Sequence, residues 1–326
     1  MPLHGLLASL DRQARWALPA GVFVGIVLPG LASTLRPLLT AAVIGTLTAA
    51  LLRLDWNLMA RAARRPALPA AIAIWQLVVS PLLVWAGTAL AGLAPDLRML
   101  LVLQAAAPPI GSAAVFALIL GLDGILAVVG TVATTLLLPL TLTPLVALLL
   151  PQAGLQVDLV VFFGRVTVLV IVPFVLAWAL RHALGPARIT RHAELLGGIN
   201  VVLLVVFAIA VMDGVTARLA RDPGYIGLLL LTACIATAVL HAAGFALFRR
   251  AGVATAYSAA LMSGNRNMGL MLVITAGTAG EAFSLYVAIA QLPMYFAPLV
   301  LGPFLRRSRR HAASGPTQPG PSQPGP

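Results

Sequence analysis

Long apolar stretches alternate with short clusters of Arg, Pro and Gly along the whole chain, and the stretches are close to the ~20 residues that a bilayer-spanning helix needs. Read with those residues as punctuation, the pattern predicts ten helices: 16–34, 37–54, 67–93, 98–121, 124–150, 158–182, 195–217, 224–248, 255–279 and 282–305. The first is preceded by Arg12 and Arg15, as in a signal peptide, but it is long for one and lacks a small-x-small cleavage site, so it is read as a span. The prediction is an all-α, multi-pass membrane protein.

Two of these stretches are interrupted. The fourth contains Ala107-Pro108-Pro109-Ile110-Gly111-Ser112 and the ninth contains Ser263-Gly264-Asn265-Arg266-Asn267-Met268-Gly269. Adjacent prolines remove two amide donors and clash with the preceding turn. The ninth stretch combines Gly with three large polar side chains. Both should unwind locally, which hydrocarbon tolerates only where protein or a wet cavity satisfies the freed backbone groups.

The interruptions fall in corresponding halves of an internal repeat. The fifth stretch ends Pro139-x4-Pro144-Leu145-Val146 and the tenth ends Pro293-x4-Pro298-Leu299-Val300. Each half then holds five spans, an odd number, so tandem copies insert with opposite orientation. That is the inverted-repeat plan of secondary transporters, and paired broken helices are its pointer to a transport site. The domains expected are a cytoplasmic N-terminus (1–15), a first five-helix repeat (16–151), an inverted second repeat (158–305) and a tail (306–326) that is basic and then Pro/Gly/Ser-rich and disordered. A Pro kink paired with a Gly packing notch is the simpler explanation of the same features.

Composition agrees with lipid as the solvent: 60% of the 326 residues are hydrophobic and 9% charged, too few to cover a soluble surface. All 21 basic residues are Arg, and against 9 acids they leave a net +12. The arginines cluster between spans, which argues against nucleic acid as a partner and marks cytoplasmic loops. With the N-terminus inside, fifteen arginines face the cytoplasm and five (Arg36, Arg98, Arg165, Arg218 and Arg221) face the other side. Both termini are therefore expected in the cytoplasm and the chain in the cell (inner) membrane. The single cysteine, Cys234, excludes an intrachain disulfide and a Cys-based metal site, and its place in an apolar run reads as helix packing.

Arg266 remains, within the ninth span. A membrane-buried arginine costs about 3 to more than 10 kcal/mol unless paired or hydrated, and no carboxylate lies in its span. Asp213 is the one semi-buried candidate. Either Arg266 binds carbonyls freed by the broken fourth span, or its partner arrives as a substrate anion held by a two-pronged hydrogen bond, and the two readings are compatible in part. Asn265 and Asn267 could orient a ligand or cap helix ends. Gln76, a lone amide in the third span, reads more readily as interhelical glue than as a ligand. Thr131, Thr134 and Thr135 should bond back to their own helix. His241 reads as packed, and Gly21-x3-Gly25 as a close helix contact. Phosphate-cradle, zinc and nucleophile-elbow motifs are absent, so neither an enzyme nor an ATP-driven pump is expected, and no cofactor or metal is implied.

The chain resembles the bile acid:sodium symporter family, within the wider superfamily of arsenite and auxin-type efflux carriers. The likeness rests on Pro37–Trp56 (PLLTAAVIGTLTAALLRLDW) followed by Arg64-Arg65-Pro66, on Gln76, on Ala107-Pro108-Pro109 running to Asp123 and TLLLPLTLTPL, and on Gly264 to Leu270. It implies ten helices, with the broken fourth and ninth crossing at the substrate site. Pro108, Pro109, Gly111, Ser112, Gly264, Asn265, Arg266 and Asn267 are then the candidate substrate-binding residues, with Gln76 and Thr131 left as ion ligands. Sodium-coupled members usually carry Glu where this chain has Met262, Gln where it has Arg266, and Ser-Asn where it has Ala113-Ala114.

The function expected is secondary transport of a small organic anion by alternating access, independent of sodium, with the guanidinium of Arg266 in the space of one ion. A sodium-coupled symporter with an altered ion site and a non-transporting scaffold or sensor are the alternatives. The partners implied are the anion and the lipid bilayer, with no obligate protein partner.

Overall fold

The computed structural model describes residues 14–54, 56, 59, 66–111, 113, 116, 117, 120–149 and 158–313. Ser112, Ala114, Arg61, Arg64, Arg65, residues 1–13 and residues 314–326 lie outside that set, so the expectations resting on them concern residues not described. Among the described residues the chain is all-helical.

In chain order the helices are α1 (Ala14–Val27), α2 (Pro29–Leu35), α3 (Leu39–Leu52), α4 (Ala67–Ile74), α5 (Ser80–Leu90), α6 (Pro95–Ala106), α7 (Gly124–Leu149), α8 (Leu159–Leu184), α9 (Pro186–Arg191), α10 (Ala193–Ala210), α11 (Val215–Arg221), α12 (Pro223–Phe248), α13 (Val253–Gly264), α14 (Met268–Ile274) and α15 (Gly280–Ala313). Among the described residues six segments are long and apolar enough to cross a membrane: Pro29–Leu52, Ala67–Leu90, Gly124–Leu148, Leu159–Leu184, Ala193–Arg221 and Pro223–Ala251. Trp16–Val27 is a shorter apolar helix. Large apolar side chains such as Trp178, Leu140 and Val160 point outward, which is costly in water and favourable in lipid.

Acids sit at helix starts, where they satisfy orphan amides and the positive end of the dipole. Asp158 accepts from Val160 N (2.9 Å) and Val161 N (3.1 Å), Asp222 from Tyr225 N (3.0 Å), and Asp123 from Leu126 N (3.0 Å). Arginines do the converse at helix ends. Arg181 donates to Leu52 O and Leu54 O at the end of α3, and Arg165 to Val273 O and Ala276 O beyond α14.

The details sharpen the expected boundaries. The first stretch divides at Leu28, before Pro29, and the seventh turns at Gly214, whose φ of +84° suits glycine. The last helix continues past the expected end at 305 through the Arg cluster to Ala313. Cys234 faces outward rather than into a helix contact, which corrects the packing reading. The Gly21-x3-Gly25 contact is present: a Cβ at Gly25 would stand 2.7 Å from Ile209 O of α10.

Packing gathers α1, α2, α3, α8 and α10 on one side, and α4 to α7 with α12 to α15 on the other. The second group holds both interruptions.

Candidate functional site

The first interruption starts where Pro108 forces the residue before it out of the helix: Ala107 is extended (φ −65°, ψ 143°), and α6 ends. The second starts after Gly264, with Asn265 at φ −94°, ψ 84° and Asn267 at φ −77°, ψ 73°. The two stretches meet antiparallel as a single β-bridge between Pro109 and Arg266. Ile110 N donates to Asn265 O (2.8 Å) and Asn267 N to Pro108 O (2.7 Å). Backbone groups that hydrocarbon would leave unsatisfied are thus paired across the crossing.

Arg266 is 0% exposed and sits inside this crossing. Its Nε donates to Ser263 O (2.7 Å), Nη1 to Ala107 O (2.8 Å) and Gln76 O (3.3 Å), and Nη2 to the Ser80 hydroxyl (2.9 Å). These bonds take four of the five N–H groups of a guanidinium. Freed carbonyls are thus among the partners of Arg266, and its two-pronged face is engaged.

The carbonyls are available for a local reason at each point. Ala107 O and Ser263 O belong to the ends of α6 and α13, where the last turn has no amide partners. Gln76 O lies in a π-helical turn, Trp75–Val79, that joins α4 to α5. The guanidinium therefore caps two half-helices at once. Each carries roughly −0.5 charge at its C-terminal end, so together they offset about one positive charge. No carboxylate contacts it among the described residues. Asp213, the one acid that could have, pairs with Arg36 at 2.7 Å near the surface.

The other expected residues divide by role. Asn267 caps α14, accepting from Leu270 N at 3.0 Å. Asn265 is 1% exposed, and neither atom of its amide has a partner among the described residues. Gly264 is a close-approach site: a Cβ there would stand 1.7 Å from Nδ1 of His241. His241 is packed, as expected, with Nδ1 donating to Thr237 O at 2.8 Å. Pro108 and Pro109 are buried in the crossing, and Gly111 follows it with a Cβ position 3.7 Å from Ala50.

Gln76 is fully buried, with Nε2 3.3 Å from the Ser263 hydroxyl and Oε1 without a partner among the described residues. Thr131 donates to Ala127 O (2.7 Å), as do Thr134 and Thr135 to carbonyls of their own helix. Met262 is buried, and its methyl lies 2.4 Å from where a Gly130 Cβ would be, so the thioether fills that space. Ala113 is buried too and brings no oxygen beyond its backbone.

The sequence reading missed Ser80, Trp75, Ser263, Gln104 and Tyr286. Trp75 Nε1 donates to the Ser263 hydroxyl at 2.9 Å. Gln104, three residues before the first interruption, accepts from the Tyr286 hydroxyl and reaches Thr237 of α12 at 3.4 Å. As a lone amide in an apolar run it carried the same signal as Gln76. Serines carry no such signal.

A family model, described as the sodium bile acid symporter family, matches residues 40–219, more than half of the chain. The chain belongs to that family. A search of curated proteins finds no match. The matched stretch includes Gln76 and the first interruption and stops before the second, so Arg266 lies outside it. Family membership makes this a membrane protein of the bile acid symporter type, and transporters rather than enzymes make up that family.

Proposed function

We propose that this family member is a secondary active transporter that moves an organic anion by alternating access without sodium. The observation that carries the reading is the oxygen shell at the crossing: Ser263 O, Ala107 O, Gln76 O and the Ser80 hydroxyl all converge on Arg266. Several converging oxygens are what a hard cation takes. A fixed guanidinium here does a cation's work, and Met262 against Gly130 fills a neighbouring space with sulfur and methyl.

Ten spans in two inverted repeats, with both termini in the cytoplasm, fit this reading. Its supports are the paired interruptions and the matching Pro pairs inside α7 and α15. Substrate contacts are assigned to Pro108, Pro109, Gly111, Ser112, Gly264, Asn265, Arg266 and Asn267. Within that set Asn265 offers the unpartnered donor and acceptor, and Arg266 the charge. An anion is favoured because bile acids are anions and the acids among the described residues lie at or next to helix ends. A sodium-coupled mechanism has one observation in its favour, the unpartnered Gln76 Oε1.

The test is the full-length protein in liposomes with labelled taurocholate, in sodium against potassium. Equal counterflow rates and equal melting temperatures in the two salts are expected. A sodium-dependent rate or melting temperature overturns sodium independence. Arg266→Gln should lose counterflow, whereas a scaffold would have none to lose.

A further inference from the structure

A fixed guanidinium cannot travel down a gradient, so a transporter built on it needs another mobile ion if it is to concentrate its substrate. We propose that Nε2 of His241, on the ring that packs against Gly264 one residue before Asn265, is a proton-binding site that couples anion uptake to a proton gradient. The proposal rests on the transporter reading above and deepens it.

The geometry is as follows in the ring of His241. Thr237 O can only accept, so Nδ1 carries the hydrogen of that 2.8 Å bond, and in the neutral ring Nε2 is a bare acceptor. His241 is 8% exposed, and Nε2 is buried with no partner among the described residues. The ring lies against Gly264, with no room for a Cβ between them. The next residue along is Asn265, whose amide nitrogen and oxygen are likewise buried and unpartnered. Two independent side chains thus bring unsatisfied polar atoms to one end of α13. Buried polar groups are nearly always paired, and such exceptions in one place point to a ligand.

The surrounding charges decide when the proton binds. From α13 and the crossing, the charged group nearest in the chain is Arg266, two residues beyond Gly264. From α6 comes Gln104, a neutral amide, through Thr237, and through Gln104 the phenol of Tyr286 on α15. On α12 itself the titratable groups are Cys234, two turns back and facing outward, and Tyr225, with Arg249 and Arg250 just past its end; from α13, Tyr257 packs its ring against Phe245 of α12. No Asp or Glu pairs with this cluster among the described residues. A proton on Nε2 therefore adds a second cation near Arg266. An anion arriving beside Asn265 offsets that charge, and by linkage anion and proton tighten each other's binding by the same factor.

In the cycle, the Nε2 lone pair forms an N–H bond with a proton from water on one side, and imidazole becomes imidazolium with the anion beside it. On the other side the anion leaves and the same proton returns to water. Nothing is oxidised or reduced.

The experiment uses liposomes containing the full chain in sodium-free potassium buffer, with taurocholate, whose sulfonate stays ionised, as probe. With the lumen one pH unit more alkaline, one-for-one symport should accumulate taurocholate about tenfold, and a protonophore should abolish the accumulation. His241→Gln should lose the response to the gradient, and whatever counterflow it retains should no longer vary with pH. His241→Asn, smaller than imidazole, serves where the Gln variant does not fold. Accumulation indifferent to pH in the natural protein, or equally responsive in the variants, overturns the proton site while leaving the transporter reading intact. Absence of taurocholate counterflow in the natural protein overturns both.

Discussion

The interruption at Ala107–Ile110 and the one at Asn265–Asn267 have similar shapes and opposite chemistry. In the first, two adjacent prolines remove donors, so it meets its partner mainly with carbonyls: Ala107 O and Pro108 O accept, and Ile110 N alone donates. The second brings donors in excess, in the guanidinium of Arg266 and the amide of Asn267 N. Each would be costly alone in a water-poor core, because unpaired backbone groups there have nowhere else to bond. Together they form a locked crossing. The lesson is that neither break is a defect of its own helix; each supplies what the other lacks.

Removing the donor side should break the comparison most severely. Arg266→Ala leaves three carbonyls and the Ser80 hydroxyl without their donor, and a cost of roughly 4 kcal/mol is expected, read as a large fall in melting temperature of the purified protein. A loss below about 1 kcal/mol would show that the guanidinium is not what holds the breaks together.

Overfilling the crossing comes next. Gly264→Ala places a methyl 1.7 Å from His241 Nδ1, against a ring held by its own bond to Thr237, and should cost about 3 kcal/mol. Combining it with His241→Ala should recover part of the loss. Gly130→Ala, by contrast, meets the flexible end of Met262 and, at 3.4 Å, a methyl of Ile72, and should cost about 1 kcal/mol.

The two asparagines should separate by sign. Asn267→Ala loses the cap on α14 and about 1 kcal/mol. Asn265→Leu removes a buried amide with no partner, and should leave stability unchanged or raise it by about 1 kcal/mol while taurocholate counterflow falls. Equal losses of stability in both variants would contradict the division between a structural and a binding asparagine.

The smallest effect belongs to the ion pair away from the crossing. Arg36 is 66% exposed, so Arg36→Ala should change stability by less than about 1 kcal/mol, with the difference shrinking in high salt.

Much of this was legible in advance because hydrocarbon imposes simple rules. Apolar runs of spanning length and the arginines between them follow from solvation. So does the position of both interruptions, since two prolines, or a glycine followed by Asn-Arg-Asn, have few other conformations to offer. The division of the first stretch before Pro29 and the continuation of the last helix to Ala313 were not read from the sequence.

Sequence by itself thus determined the solvent, the helical class and the two places where helices fail, because each depends on residue type and local spacing. Only the tertiary structure decided what those failures meet. That Arg266 closes on Ala107, Gln76 and Ser263, that Asp213 goes to Arg36 instead, and that His241 rests on Gly264 are contacts between residues far apart in the chain. Pairing over such separations is settled by packing, and single-residue preferences carry no record of it.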